Sequence, residues 1–293
     1  MAKAPRSLAG RVVAITGGGR GIGRATATAL IAQGARVAIG DIDAELAAGT
    51  ARQLGGSTLG LALDVTDRDS FEAFLAHTEA ELGPLDVVIN NAGIMPIGPF
   101  VAETDATAQR LVDVNLSGVI IGSKLALARF LPRGRGHLVN IASVAGKGGF
   151  PGGATYCATK HAVVGLSEAI RGEVRRRGID VSIVMPTVVN TELGSGLVKT
   201  RGLRYAEPED VANAIVDALR TGRVDVYVPR EMSPVMRLMG ILPRRFVDFV
   251  THLTRADRVL MTPDHAARAA YEARMAETPA GEHLPEPEAL ASP

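Results

Sequence analysis

Tyr156 and Lys160 stand four residues apart, and Ser143 lies thirteen residues before the tyrosine. On a helix, a spacing of four puts two side chains on one face, about one turn apart. An ammonium near a phenol favours the phenolate and so lowers the phenol pKa. A tyrosine tuned in this way can pass a proton to or from an alcohol near neutral pH. Tyr-x-x-x-Lys alone is a common spacing, and most such pairs are an exposed lysine beside a half-buried tyrosine. It gains meaning only beside a cofactor site.

Such a site is written near the start of the chain. Thr16-Gly17-Gly18-Gly19-Arg20-Gly21-Ile22-Gly23 follows an apolar run and opens a helical pattern. Glycines there let the backbone turn tightly and approach a pyrophosphate, whose charge is met by the helix N-terminus. Gly17, Gly21 and Gly23 differ in spacing from the commoner dinucleotide pattern, with three residues between the first two. No Gly-Lys-Ser/Thr follows, which disfavours an ATP-type loop. Asp41 comes eighteen residues after Gly23, at the end of the next apolar run. A carboxylate there can accept both ribose hydroxyls of NAD and repel a 2′-phosphate. Asp43 is its rival, although it opens a helix and could be a plain N-cap. Arg20 argues the other way, because a guanidinium in the loop could pair with the 2′-phosphate of NADP. The balance favours NAD, with NADP as the alternative.

These groups need a frame. Strands are expected at 11–16, 36–40, 58–62, 85–90, 136–142, 179–185 and 224–228. Helices are expected at 21–33, 44–54, 69–82, 155–177 and 208–221, with one long helix over 105–130 bent near Gly118. Strands alternating with helices of this length imply a parallel sheet covered on both faces. Right-handed crossovers then give a doubly wound α/β fold.

Composition narrows the function. The chain has 293 residues, enough for one large α/β domain. It is 46% hydrophobic but only 4% aromatic, so Ala, Val, Ile, Leu and Gly carry the packing. A formal charge of +1 gives no electrostatic footprint for nucleic acid. With Cys157 as the one cysteine, neither an internal disulfide nor a cysteine-based metal site can form. The histidines show no metal-ligand spacing. Neither a signal-type segment nor a run of ~18 apolar residues stands out, so a cytoplasmic location is expected.

With the glycine loop, Asp41 and Tyr156/Lys160 in hand, the chain resembles the short-chain dehydrogenase/reductase family over about residues 8–229. Further motifs match in order and spacing: Asp64-Val65, Asn90-Asn91-Ala92-Gly93, Asn115 in Val-Asn-Leu-Ser-Gly, Ser143 after a strand, and Pro186 with Thr191. The resemblance implies a Rossmann fold, hydride transfer between NAD(H) and a carbinol or carbonyl carbon, and a homodimer or homotetramer built on the two long helices. It assigns Tyr156 as general acid/base, Ser143 to the substrate oxygen, and Lys160 to the phenol and the nicotinamide ribose. Asn115 would hold a water linking Lys160 to bulk. Thr16, Gly17, Gly19, Arg20, Gly21, Ile22, Gly23, Asp41, Asp64, Val65, Asn91, Ala92, Gly93, Pro186, Val189 and Thr191, with Tyr156 and Lys160, would line the cofactor. Read without the family, Ser143 could simply bond its own loop and Asn115 could be a helix-kink amide.

The chain departs from the family at Thr187, where glycine usually follows the proline, and a β-branched residue resists positive φ. Cys157 points away from the Tyr/Lys face and reads as a small buried hydrophobe. Ile94, Met95, Ile97, Phe150, Met185, Val188 and Val189, with a lid over 190–206, suggest a hydrophobic alcohol or ketone, such as a steroid, retinoid or fatty derivative. Ordinary loop packing explains the same residues.

Beyond residue 229 the chain is longer than the family core. Residues 230–276 read as a helical extension and 277–293, with four glutamates and four prolines, as a disordered tail. Phe246, Val247, Phe249, Val250 and Leu253 form an apolar stripe, with Arg244, Arg245, Arg255 and Arg258 mainly off it. The stripe could cover the substrate cleft, join subunits, or lie on an anionic membrane surface; packing on its own domain or a partner subunit is the plainest of these. Two alternatives to an NAD-dependent dehydrogenase stand at this point: an NADP-dependent carbonyl reductase using Arg20, and a non-catalytic dinucleotide sensor or scaffold.

Overall fold

A computed structural model gives the structure, which describes residues 5–56, 58–197, 205–253, 259–261 and 263–277. Seven strands form one parallel sheet: β1 (Val12–Thr16), β2 (Arg36–Asp41), β3 (Thr58–Ala62), β4 (Val87–Asn90), β5 (Gly136–Ile141), β6 (Ile179–Pro186) and β7 (Asp225–Val228). Their order is β3-β2-β1-β4-β5-β6-β7, so the chain reverses direction across the sheet between β1 and β4. The carboxyl ends of strands at such a switch point open a crevice.

Both faces are covered, and the pleat decides which residue faces which layer. Val13 and Ile15 of β1, with Val37, Ile39, Val87 and Ile89, pack with Leu30 of α1 (Gly21–Ala32) and Ile215 of α7 (Pro208–Thr221). Their neighbours Val12, Ala14, Ala38 and Val88 meet Phe71 of α3 (Arg68–Leu82) and Phe130 of α5 (Gly118–Arg133) on the other side. Alternate residues of a strand point to opposite faces, so a continuous Val/Ile/Ala run is what a sheet buried on both sides requires. Helix α2 (Ala44–Leu54) packs on β2 and β3, and α6 (Ala154–Val174) on β5 and β6.

The expected long helix is interrupted. Helix α4 (Asp105–Val112) runs into a π turn at Asp113–Ser117 before α5 begins at Gly118. A Cβ on Gly118 would lie 3.0 Å from the Val65 side chain, so the glycine lets this bend press against the loop after β3. By length and apolar content Asp105–Arg133 could cross a membrane, but Leu111, Val119, Leu125 and Phe130 are buried inside the protein.

Beyond β7 come α8 (Met232–Ile241), α9 (Arg244–Leu253) and α10 (His265–Glu277). The apolar stripe of α9 is divided: Val247 lines the central cleft, whereas Phe246, Phe249 and Leu253 are exposed. The side chain of Val250, and Arg255 and Arg258, lie outside the described residues, as do 278–293 of the expected tail and 198–204 of the expected lid.

Candidate active site

One cleft of about 2360 Å³ runs along the carboxyl ends of the strands, from Gly17 and Asp41 at one end to Ser143, Tyr156 and Tyr271 at the other. Its volume exceeds the roughly 300–1,000 Å³ of a typical small-molecule pocket, which suits a dinucleotide and a second molecule together.

The glycine loop is shaped as much by the protein as by any ligand. Gly17 has φ +62°, and a Cβ there would lie 2.9 Å from Ala92 Cα; Gly21 has φ +51° and faces Thr191. A Cβ on Gly18 would lie 2.5 Å from Ile39 Cβ, and one on Gly23 would lie 2.2 Å from the Gly17 carbonyl oxygen. The loop thus lies flat on β2 and folds against its own helix. Asn91 ties it to β4: its Nδ2 donates to the Thr16 and Gly17 carbonyls at 2.9 and 3.0 Å. Thr16 Oγ1 in turn accepts from the main-chain N–H groups of Asn91 and Ala92.

Helices α2, α3 and α4 begin with side-chain caps from Asp43, Asp67 and Thr104. Helix α1 has no side-chain cap and no acid in its first turn. Its first N–H groups and the positive end of its dipole are left for an anion in the cleft. That open N-terminus and the close glycine backbone fit a pyrophosphate.

Asp41 is buried, and its two oxygens accept main-chain N–H bonds from Gly19 at 3.0 Å and Asp43 at 3.3 Å. Burial raises its pKa, against the lowering effect of those bonds. Asp43 caps α2 through Leu46 N–H, the plainer of the two roles open to it. The Arg20 guanidinium sits 3.1 Å from Glu192 and 3.7 Å from Asp43, so it is already paired with acids across the cleft mouth. Asp64 Oδ1 accepts from Thr66 N–H and Oγ1, fixing the loop after β3 at the cleft wall with Val65.

At the other end, α6 lifts Tyr156 and Lys160 on one face, both buried. Lys160 Nζ lies 5.7 Å from the Tyr156 ring centroid and donates to the Ile141 carbonyl at 2.9 Å. Ser143 lines the cleft beside the phenol; its Oγ donates to Pro186 O at 3.4 Å and accepts from Ala145 N–H at 3.1 Å. The bond to its own loop and a place in the cluster therefore coexist. Burial pushes the Lys160 pKa down to about 8. Burial also raises the Tyr156 phenol, and the group opposing that rise is Ser143. In the protein alone the net shift of the phenol is therefore upward. Desolvation of the phenolate is the larger effect, and the ammonium, itself desolvated, is spent on a carbonyl.

Asn115 is fully buried on the π turn. Its Oδ1 accepts from Ile94 N–H at 2.8 Å and its Nδ2 donates to Ile94 O at 2.9 Å. The amide clamps the loop after β4. Gly93 explains the closeness of the parts: a Cβ there would lie 3.2 Å from Asn115 Oδ1 and 3.7 Å from Lys160 Nζ.

Pro186 and Val189 line the cleft, as does Thr191, which faces Gly21. Thr187 does not disturb this wall. Its N–H donates to Val228 O at 2.8 Å, prolonging the β6–β7 pairing, and its Oγ1 is buried without a partner. The base of the lid is closed by main-chain bonds between Val188, Asn190 and Ala206.

Tyr271 and Arg268 of α10 were missed by sequence reasoning. The Arg268 side chain is fully buried and donates to the carbonyls of Leu193 (3.1 Å), Ser195 (2.8 Å) and Met95 (2.9 Å). Tyr271 Oη accepts from Met95 N–H at 2.7 Å. Their spacing of three on a helix was the available signal, but the extension carried no motif to direct attention there.

The fold and this cluster define a doubly wound α/β oxidoreductase. A family model described as short chain dehydrogenase matches residues 11–202. The chain is 40% identical over 228 residues to 2-(S)-hydroxypropyl-CoM dehydrogenase 3 of Xanthobacter autotrophicus, covering 71% of this chain and 89% of that one. It is 38% identical over 223 residues to sorbitol dehydrogenase of Cereibacter sphaeroides, covering 74% and 87%. A short-chain dehydrogenase/reductase from Burkholderia phymatum, solved in complex with NAD, superposes with TM-score 0.73 at 25% identity, covering 80% of this chain and 94% of that one. The chain belongs to the short-chain dehydrogenase/reductase family, oxidoreductases acting on alcohols.

Proposed function

We propose that this protein interconverts a hydrophobic secondary alcohol and its ketone with NAD(H). The observation that carries the reading is the convergence of Ser143, Tyr156 and Lys160 in the cleft that Asp41 and the open end of α1 line. When bound, the nicotinamide supplies or accepts the hydride and, oxidised, adds a positive charge near the phenol. Tyr156 holds or takes the proton of the substrate oxygen, and Ser143 orients that oxygen. Lys160 lies behind the phenol, where its ammonium can hold ribose hydroxyls. Asn115 positions the loop carrying Ile94.

NAD rather than NADP is supported by Asp41, which would face a 2′-phosphate with a carboxylate. Arg20, the residue that could favour the phosphate, is paired with Glu192 and Asp43. The apolar substrate class is supported by Ile94, Phe150, Val188 and Leu193, which line the Tyr156 end of the cleft. A panel of apolar secondary alcohols with NAD, followed at the nicotinamide absorbance, tests the reading. No turnover with any of them at saturating NAD rejects it.

Two partner contacts follow. Membership of the family supports a homodimer or homotetramer built on α5 and α6, read by light scattering. Exposed Leu238, Ile241, Phe249 and Leu253 beside Arg244 and Arg245 support contact with an anionic membrane at the cleft mouth. Pelleting of the full chain with anionic vesicles, lost in a F249S/L253S variant, is the expected result; equal pelleting of the two proteins rejects the contact.

A further inference from the structure

Helix α10 closes the substrate end of the cleft, and one buried guanidinium holds it there. Arg268 joins two separate loops: its donors reach Met95 after β4, and Leu193 and Ser195 in the lid. Its Nε lies 3.5 Å from Glu272 one turn on. Asp264 caps the helix through Ala266 and Ala267 N–H and also donates its own N–H to Gly196 O at 2.8 Å. Gly196, with φ +69°, allows this approach, since a Cβ there would lie 2.5 Å from Asp264 O and 2.8 Å from Arg268 Cγ. A substitution at that glycine would push lid and helix apart.

Tyr271 is fixed by this arrangement. Its ring lies 5.0 Å from the Arg268 guanidinium carbon, and its oxygen accepts from Met95 N–H. A phenol oxygen can both accept and donate. The accepting side is used, and no acceptor for its own proton occurs among the described residues. The side chain lines the same cleft as Tyr156, whose wall also carries the apolar side chains of Met95, Leu260 and Val259. Burial raises the Tyr271 pKa, which keeps the phenol in its donor form.

We infer that Tyr271 is a substrate-contacting specificity residue, whose O–H donates to a second oxygen on the substrate near the reacting carbon. Arg268 is its positioning residue, holding the phenol and the two loops around it. The substrate class is thereby a mainly apolar alcohol or ketone that carries a further hydroxyl or carbonyl oxygen. This rests on the proposed dehydrogenase reading and deepens it. A site built to hydrogen-bond a substrate oxygen discriminates strongly against an analogue that lacks it, because the buried group is then unpaired.

The test compares trans-cyclohexane-1,2-diol with cyclohexanol in the wild type and in Tyr271→Phe, which keeps the ring over Arg268. The expected result is that the diol-to-monoalcohol ratio of kcat/KM falls about tenfold in the variant, with cyclohexanol itself changed less than about twofold, and with NADH affinity unchanged. A tenfold ratio is about 1.4 kcal/mol, the size of one buried hydrogen bond. An unchanged ratio, or an equal loss on both alcohols, overturns the inference and leaves the dehydrogenase reading standing. Should the wild type turn over neither alcohol, the ratio is read as calorimetric affinity for the enzyme–NAD complex. Absence of a diol preference that Tyr271→Phe removes overturns the inference there too.

Discussion

The Asp41 carboxylate receives the main-chain N–H of Gly19 at 3.0 Å. The residue that ends β2 and the loop that would cradle a pyrophosphate are therefore one hydrogen-bonded unit. A Cβ on Gly19 would lie 2.8 Å from that same carboxylate oxygen, so the glycine is what allows the contact. With Asp41 as the proposed NAD determinant, this bond ties it directly to the shape of the glycine loop.

Asp41→Asn keeps an oxygen for the Gly19 N–H but removes the charge that repels a 2′-phosphate. The preference for NADH over NADPH, measured as dissociation constants by nicotinamide fluorescence, is expected to fall at least about tenfold, or 1.4 kcal/mol. An unchanged preference would remove Asp41 from the discrimination.

Tyr156→Phe retains the ring beside Lys160 and deletes the proton that moves. Turnover is expected to drop by about 10²-fold or more, the usual contribution of a positioned acid/base group. NADH affinity should stay within about twofold of the wild type. Retained turnover would overturn the assignment.

Gly18→Ala should destabilise the protein by about 1–3 kcal/mol, the usual cost of overpacking a filled interior, because its Cβ would lie 2.5 Å from Ile39 Cβ. Gly149→Ala is the control: nothing lies within 4 Å of a Cβ there. Urea unfolding of both variants measures the difference, and equal midpoints would contradict the packing of the loop on β2.

His137 on β5 is buried, 2.8 Å from Ser182 Oγ, and burial pushes its pKa down from 6.5 to about 4. Between those values the unfolded chain binds the proton and the folded one does not. The His137 contribution is therefore complete above pH 6.5 and falls as pH drops toward 4. Urea unfolding across pH 4–7 should show that slope, and His137→Gln should flatten it. A slope unchanged in the variant would assign the acid sensitivity to other groups.

Much of the fold was legible because local chemistry and tertiary demand agree. Residues 11–16 and 36–40 read as strands because a continuous apolar run suits a strand buried on both faces, and Asp43, read as a possible N-cap, caps α2. Less legible was the break between α4 and α5. Nothing local distinguishes a π turn from a helix bent at a glycine. Asn115 there bonds Ile94, twenty-one residues away in sequence.

The site divides in the same way. Gly17, Asp41, Ser143, Tyr156 and Lys160 were readable because their types and intervals name the chemistry. Their energetic state was not: whether Lys160 or desolvation governs the Tyr156 phenol depends on distances and burial that no spacing contains. The lid shows the same limit, since Arg268 reads as an ordinary charged helix residue until three carbonyls from two loops surround it.

The sequence by itself determined a doubly wound α/β chain, a glycine-turned phosphate loop and a Ser–Tyr–Lys set, because strand and helix periods and motif intervals are local properties. Tertiary structure alone decided that Arg20 is occupied by Glu192 and Asp43, that Asn115 clamps Ile94, and that Tyr271 of the C-terminal extension faces the same cleft as Tyr156. Those are contacts between residues tens to more than a hundred positions apart, and only the packed fold brings their atoms within reach.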